Sequence, residues 1–179
     1  MNRSMCLAFG GMVTALSTVI LFLTGIIPFG RTILLVLAGV LLIAVVAELG
    51  PRWAWSVYAA VSLLSALLAA NKEIVLGYIL IFGCYSVLKA QMEKRFKKAV
   101  AFLLKFLFCN ASVLLEGYLA VAFLHLPQES YEVFGVSLPW LFLILWNISF
   151  LAYDYALSLL VISYYKKFHP AVKKWLHMP

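Results

Sequence analysis

Apolar residues fill this chain in long unbroken blocks, with short polar punctuation between them, instead of recurring on one face of each helix. A hydrocarbon core of ~30 Å needs about 20 mainly apolar residues per crossing helix. On that measure six spans stand out, at approximately 5–27, 32–49, 53–70, 74–88, 99–124 and 139–165. The first ends at "PFGR" and the second at "GPR", where Gly and Pro stop a helix. The fourth is diluted by Gly77, Gly83, Tyr78, Tyr85 and Ser86. The pattern predicts an all-α polytopic membrane protein, a six-transmembrane-helix bundle forming a single integral membrane domain over 1–179. The first block is too long for a signal peptide and lacks a small-residue cleavage site, so it is expected to stay in the mature protein.

Composition strengthens this reading. The 179 residues are 65% hydrophobic and 12% charged, with a mean hydropathy of +1.03. Soluble domains run at roughly 45–50% apolar and about 25% charged, and no single soluble core hides the excess. Three cysteines, Cys6, Cys84 and Cys109, are widely spaced and form no C-x-x-C. They read as small apolar packing residues, with neither a disulfide framework nor a zinc site implied.

The net charge of +7 changes the picture through its distribution. With the N-terminus in the cytoplasm, eleven basic residues fall on the inside: Arg3, Arg52, Lys89, the run from Lys94 to Lys98, and the tail lysines from Lys166 onward. Only Arg31 and Lys72 fall outside, and the outer loop "HLPQESYE" has no Lys or Arg. This positive-inside asymmetry predicts cytoplasmic N- and C-termini in a bacterial inner membrane. Topology and the lipid bilayer therefore account for the basic run "KAQMEKRFKKA", and no nucleic-acid partner is implied.

Chemistry concentrates in a few polar residues inside the spans. Asn110 and Glu116 lie on the fifth, and Asn147 and Asp154 on the sixth. Charged groups at this depth cost at least ~2.5 kcal/mol and normally face protein or a water-filled cavity. Counting equal distances from the helix ends sets Glu116 level with Asn147, and Asn110 level with Asp154. Lys105 lies lower, placed to snorkel or to neutralise Asp154. The asparagines in "NAS" and "NIS" match the glycosylation pattern only by accident, being inside spans. Interhelical hydrogen bonding is the bland alternative for all four. Gly11 and Ala15 make a small-x-x-x-small pair on the first span, a surface that lets another backbone approach, within the chain or from a partner.

Enzyme signatures are absent: there is no G-x-S-x-G, H-E-x-x-H or P-loop, and the histidines are dispersed. No catalytic residue, metal site or cofactor is expected. Six short spans, small loops and "GMVTA" on the first helix resemble the S component of an energy-coupling factor (ECF) transporter. The stretch "NKEIVLGYILIFGCYSVLKAQMEK" (71–94) is also similar to uncharacterised bacterial six-helix membrane proteins with a K-E…Y…F-G-Y-Y…L-K…E pattern. The S-component resemblance implies capture of a vitamin or related micronutrient, with Glu116, Asn147, Tyr78 and Trp140 lining the pocket. It further implies docking of Gly11 and Ala15 on a transmembrane coupling subunit that works with ATPases. Two departures stand against the family pattern: Gly replaces Ala at the first docking position, and "PFGR" is short for a capping loop. Two other classes stay open: a proton-coupled transporter using Glu116 or Asp154, and a non-transporting membrane scaffold.

Overall fold

The computed structural model describes residues 3–27, 29–124 and 139–168. These residues form six helices and no strand. They are α1 (Arg3–Leu23), α2 (Arg31–Leu49), α3 (Pro51–Leu68), α4 (Lys72–Arg95), α5 (Lys98–Leu124) and α6 (Pro139–Ser163). Helix α6 runs on into a π turn, Tyr164–Phe168.

The breaks follow local chemistry. Gly50 ends α2 at φ 85°, a conformation that disfavours any residue with a Cβ, and Pro51 opens α3 where its missing N–H costs nothing. Asn71 caps α4, its Oδ1 accepting from the Ile74 N–H at 3.3 Å, with Glu73 in the first turn complementing the helix dipole.

Helix α4 is central. Half of its membrane-length window is buried, against 11% for the window on α6, and none of the large exposed apolar residues lies on it. The core wraps around it in two adjoining clusters. One joins Leu35, Leu42, Val57, Val61, Tyr78 and Phe82 from α2, α3 and α4. The other joins Ile43, Tyr85, Cys109, Phe150 and Leu157 from α2, α4, α5 and α6. Outward faces of α1, α3, α5 and α6 carry exposed Leu7, Leu67, Leu103, Leu107 and Ile148, apolar surface that suits lipid better than water.

Two close approaches lock α4 in place. A Cβ on Gly39 of α2 would stand 2.9 Å from the Phe82 carbonyl oxygen, so only glycine lets the backbones meet. Ser86 Oγ then donates to the Gly39 carbonyl at 2.8 Å. Around the same level α4 widens into a π turn over Tyr78–Phe82, closed by the Gly83 N–H on the Tyr78 carbonyl. The Tyr58 hydroxyl of α3 donates to the Ile79 carbonyl at 2.6 Å, occupying an acceptor within this turn.

Three expectations are corrected by these elements. The fourth span does not end near 88: α4 continues to Arg95, because Lys89 and Glu93 turn inward to partners. Lys89 is thus a residue of the helix, paired with Asp154, and not of a loop. Five of the six helices are long and apolar enough to cross a membrane; α3 falls short, carrying Arg52, Ser56, Tyr58, Ser62 and Ser65. The outer loop at 125–132 and the tail lysines Lys173 and Lys174 lie outside the described residues.

Candidate functional site

Tyr85, Lys89 and Glu93 are spaced four apart on α4 and therefore share one face. Asp154 and Ser158 share a face of α6 in the same way, and Lys105 projects from α5. The three faces converge on one ionic cluster. Lys89 Nζ donates to an Asp154 carboxylate oxygen, to the Asp154 main-chain carbonyl at 3.1 Å and to Ser158 Oγ at 2.9 Å. It also lies 3.1 Å from Glu93 Oε1. Lys105 Nζ donates to Glu93 and stands 3.2 Å from Asp154 Oδ1. The Tyr85 hydroxyl donates to that same Asp154 oxygen at 2.5 Å.

Burial makes this arrangement costly to build. Lys89 is 4% exposed and Lys105 6%. Withdrawing an ammonium from water costs several kcal/mol even after relaxation, and only close, hydrogen-bonded counter-charges offset it. Two ammoniums and two carboxylates leave the cluster neutral. Each lysine faces both carboxylates, so neither charge depends on a single partner.

Two cavities border the cluster, with Glu93 lining both. The smaller, about 120 Å³, has Ser86, Lys89 and Glu93 against Ile43, Leu157 and Val161. The larger, about 380 Å³, opens between the end of α4 and the start of α5.

Of the residues singled out from sequence, Lys105 and Asp154 meet as an ion pair, with Lys105 buried and Asp154 partly buried. Asn110 and Asn147 also meet, as a reciprocal amide pair with Nδ2 to Oδ1 distances of 2.9 and 3.0 Å. The expected levels are therefore displaced. Asn147 pairs with Asn110 and not with Glu116, six residues or about 9 Å along α5. Asp154 pairs with Lys105 and Lys89 and not with Asn110. Equal counting fails because the outer ends of α5 and α6 are not flush. Asn110 stands fourteen residues inside Leu124, but Asn147 only eight inside Pro139.

Glu116 faces α4 instead. Its Oε1 would lie 2.9 Å from a Cβ on Gly77, and it makes no hydrogen bond or ion pair among the described residues. Tyr78 is fully buried and stacks on Tyr58 at 6.2 Å, its hydroxyl without a partner among the described residues. It lines neither of the two cavities. The Trp140 side chain lies outside those described. Glu116 and Asn147, like Tyr78, line neither of these two cavities. Gly11 and Ala15 are exposed, with nothing within 4 Å of a Cβ on Gly11. The neighbouring Gly10 does the packing within the chain, against Val57.

Sequence reasoning missed Tyr85, Lys89, Glu93 and Ser158 as site residues. For Tyr85, Lys89 and Glu93 the signal was present in the 71–94 stretch as a polar i, i+4, i+8 stripe; Ser158, one turn after Asp154 on α6, carried none of its own. Lys89 was hidden by proximity to the basic run that follows it.

No family model, curated protein or solved structure matches this chain.

Proposed function

We propose that this chain is a six-helix protein of the bacterial cytoplasmic membrane, both termini inside, acting as the substrate-binding membrane subunit of a small-molecule uptake system. This is the S-component-like role, served with a separate coupling subunit and ATPases. The supporting observation is the ionic cluster in which the buried Lys89 and Lys105 meet the partly buried Asp154 and the half-exposed Glu93. Intramembrane ionisable groups are expensive and by default mark function. A merely adhesive helix seam needs only amides, as the Asn110–Asn147 pair demonstrates in the same bundle. Because each lysine reaches both carboxylates, a small shift of α5 or α6 exchanges partners without baring a charge. That property suits a helix interface that rearranges inside a membrane.

Purification in detergent followed by mass spectrometry of co-purified small molecules tests this reading. A vitamin-like ligand, with uptake lost in Lys89→Met but ligand retained, supports it. No ligand, no thermal shift across a vitamin and metal panel, and a stable protein partner in pull-down would overturn it in favour of a scaffold.

A second reading, proton-coupled transport, is favoured by Glu116 alone, half-buried against Gly77 and unpaired among the described residues. Proton-dependent uptake abolished by Glu116→Gln supports that reading; uptake unaffected by it removes Glu116 from the mechanism.

A further inference from the structure

The larger cavity is a crevice with chemically distinct walls. Its lining is Glu93 and Phe96 from the end of α4 and the following turn, and Lys98, Ala101, Phe102 and Lys105 from α5. The α5 residues recur at i, i+3, i+4 and i+7, which puts them on one face of the helix. Lys98 and Lys105 therefore stand at the two ends of the crevice, about 10 Å apart along the axis, with Phe102 between them. Phe96 and Phe102 are 43% and 52% exposed, so apolar surface is presented beside the ammoniums. Lys98 is exposed and makes no ion pair among the described residues. The Glu93 carboxylate, about half exposed, bridges Lys89 and Lys105 from within the crevice wall. It occupies the position that an incoming anion would take. Lys94, Arg95 and Lys97, all exposed, lie in the same short stretch of chain between Glu93 and Lys98 and add positive charge next to the crevice in sequence.

We propose that this crevice binds the phosphate of an anionic phospholipid headgroup. Lys98 and, once Glu93 swings aside, Lys105 hold the phosphate, while Phe96 and Phe102 pack against the glycerol and upper acyl carbons. A soluble phosphate ester shares the ionic chemistry, but it would leave the two phenylalanines facing water. Basic pockets between helices at the cytoplasmic interface are suited to anionic headgroups. On the proposed orientation the crevice opens on the rim opposite the side from which an imported solute arrives, and it shares Glu93 and Lys105 with the ionic cluster. The proposal rests on the membrane placement given above and not on transport.

The test uses the full-length protein in detergent. Thermal melting and native mass spectrometry are read on adding phosphatidylglycerol, phosphatidylcholine or inorganic phosphate. Phosphatidylglycerol is expected to bind and raise the melting temperature, with the other two inactive. Lys98→Gln removes a lysine with no ion pair among the described residues and should weaken phosphatidylglycerol about fivefold, the worth of one basic residue at a lipid surface. Lys166→Gln makes the same charge change away from the crevice and should leave affinity within about twofold, within the spread expected of a single distant charge. Glu93→Gln should strengthen binding, because it removes the competing carboxylate, and structural damage would act in the opposite direction. Equal losses in Lys98→Gln and Lys166→Gln would reduce the effect to diffuse surface charge and overturn the proposal. An equal shift with inorganic phosphate would assign the crevice to soluble phosphate and overturn the lipid assignment.

Discussion

Removing one charge from the cluster should cost far more than removing a matched pair. Lys89→Met takes away the ammonium that binds Asp154, Ser158 and Glu93, leaving two carboxylates to share Lys105. Breaking a buried pair from one side costs about 3–5 kcal/mol. Here the lower end applies, because Asp154 keeps Lys105 at 3.2 Å and the Tyr85 hydroxyl at 2.5 Å. Asp154→Asn strands Lys89 in the reverse sense, with Glu93, Ser158 and a main-chain carbonyl still in reach, and is expected to cost about 2–3 kcal/mol. The double variant leaves Lys105 and Glu93 as a neutral pair. Its cost should fall below the sum of the singles by about 2 kcal/mol, within the range for directly contacting charges. The Lys105–Glu93 cycle should couple less, by about 1 kcal/mol or under, because the Glu93 side chain is 48% exposed against 19% for Asp154. Equilibrium unfolding in mixed micelles, followed by tryptophan fluorescence and circular dichroism, reads all four states of each cycle. Additivity of Lys89→Met and Asp154→Asn within about 0.5 kcal/mol would refute the account, since independent sites behave that way.

Two further outcomes follow from packing and hydrogen bonding. Gly39→Ala should destabilise the fold by about 1–3 kcal/mol, because its Cβ meets the Phe82 carbonyl at 2.9 Å, and Gly11→Ala should be neutral or slightly stabilising in open space. Thermal melts of the two variants check this, and the reverse order would show that α2 and α4 do not approach at Gly39. Asn110→Ala and Asn147→Ala should each cost about 0.6–1.7 kcal/mol, as interhelical hydrogen bonds in membranes do. Their double variant should cost little more than either single, so a fully additive result in the same unfolding assay would dissolve the pair.

The limits of sequence reading are clearest at the charged positions. Lys105 and Asp154 were legible as partners because both interrupt apolar runs on consecutive helices, and an isolated charge in lipid must find its complement. Lys89 was not legible in that way. It stands near Lys94 and Arg95, and one-dimensional charge counting assigns such a residue to the loop. Only the inward turn of the Tyr85–Lys89–Glu93 face separates it from its basic neighbours. Glu116 and Asn147 failed as a pair for a different reason. Depth was counted from helix ends, and the ends of antiparallel neighbours need not be flush.

What the chain determined by itself was its helical, lipid-suited character and its punctuation. Unbroken apolar blocks of membrane length lack the alternation of a barrel strand and satisfy their backbone polar groups within a helix, and Gly50-Pro51 and Asn71 mark boundaries through their own backbone preferences and side-chain bonds. Register and rotation were decided only by the tertiary structure. They depend on where Gly39 lets α2 touch α4, where the π turn at Tyr78–Phe82 inserts its wider hydrogen-bond step, and which offset joins Asn110 to Asn147. Those are contacts between residues far apart in sequence, and no local periodicity encodes them. The assembly of two lysines and two carboxylates into one neutral centre is therefore a property of the packed helices, built from residues that the sequence presents as unrelated charges.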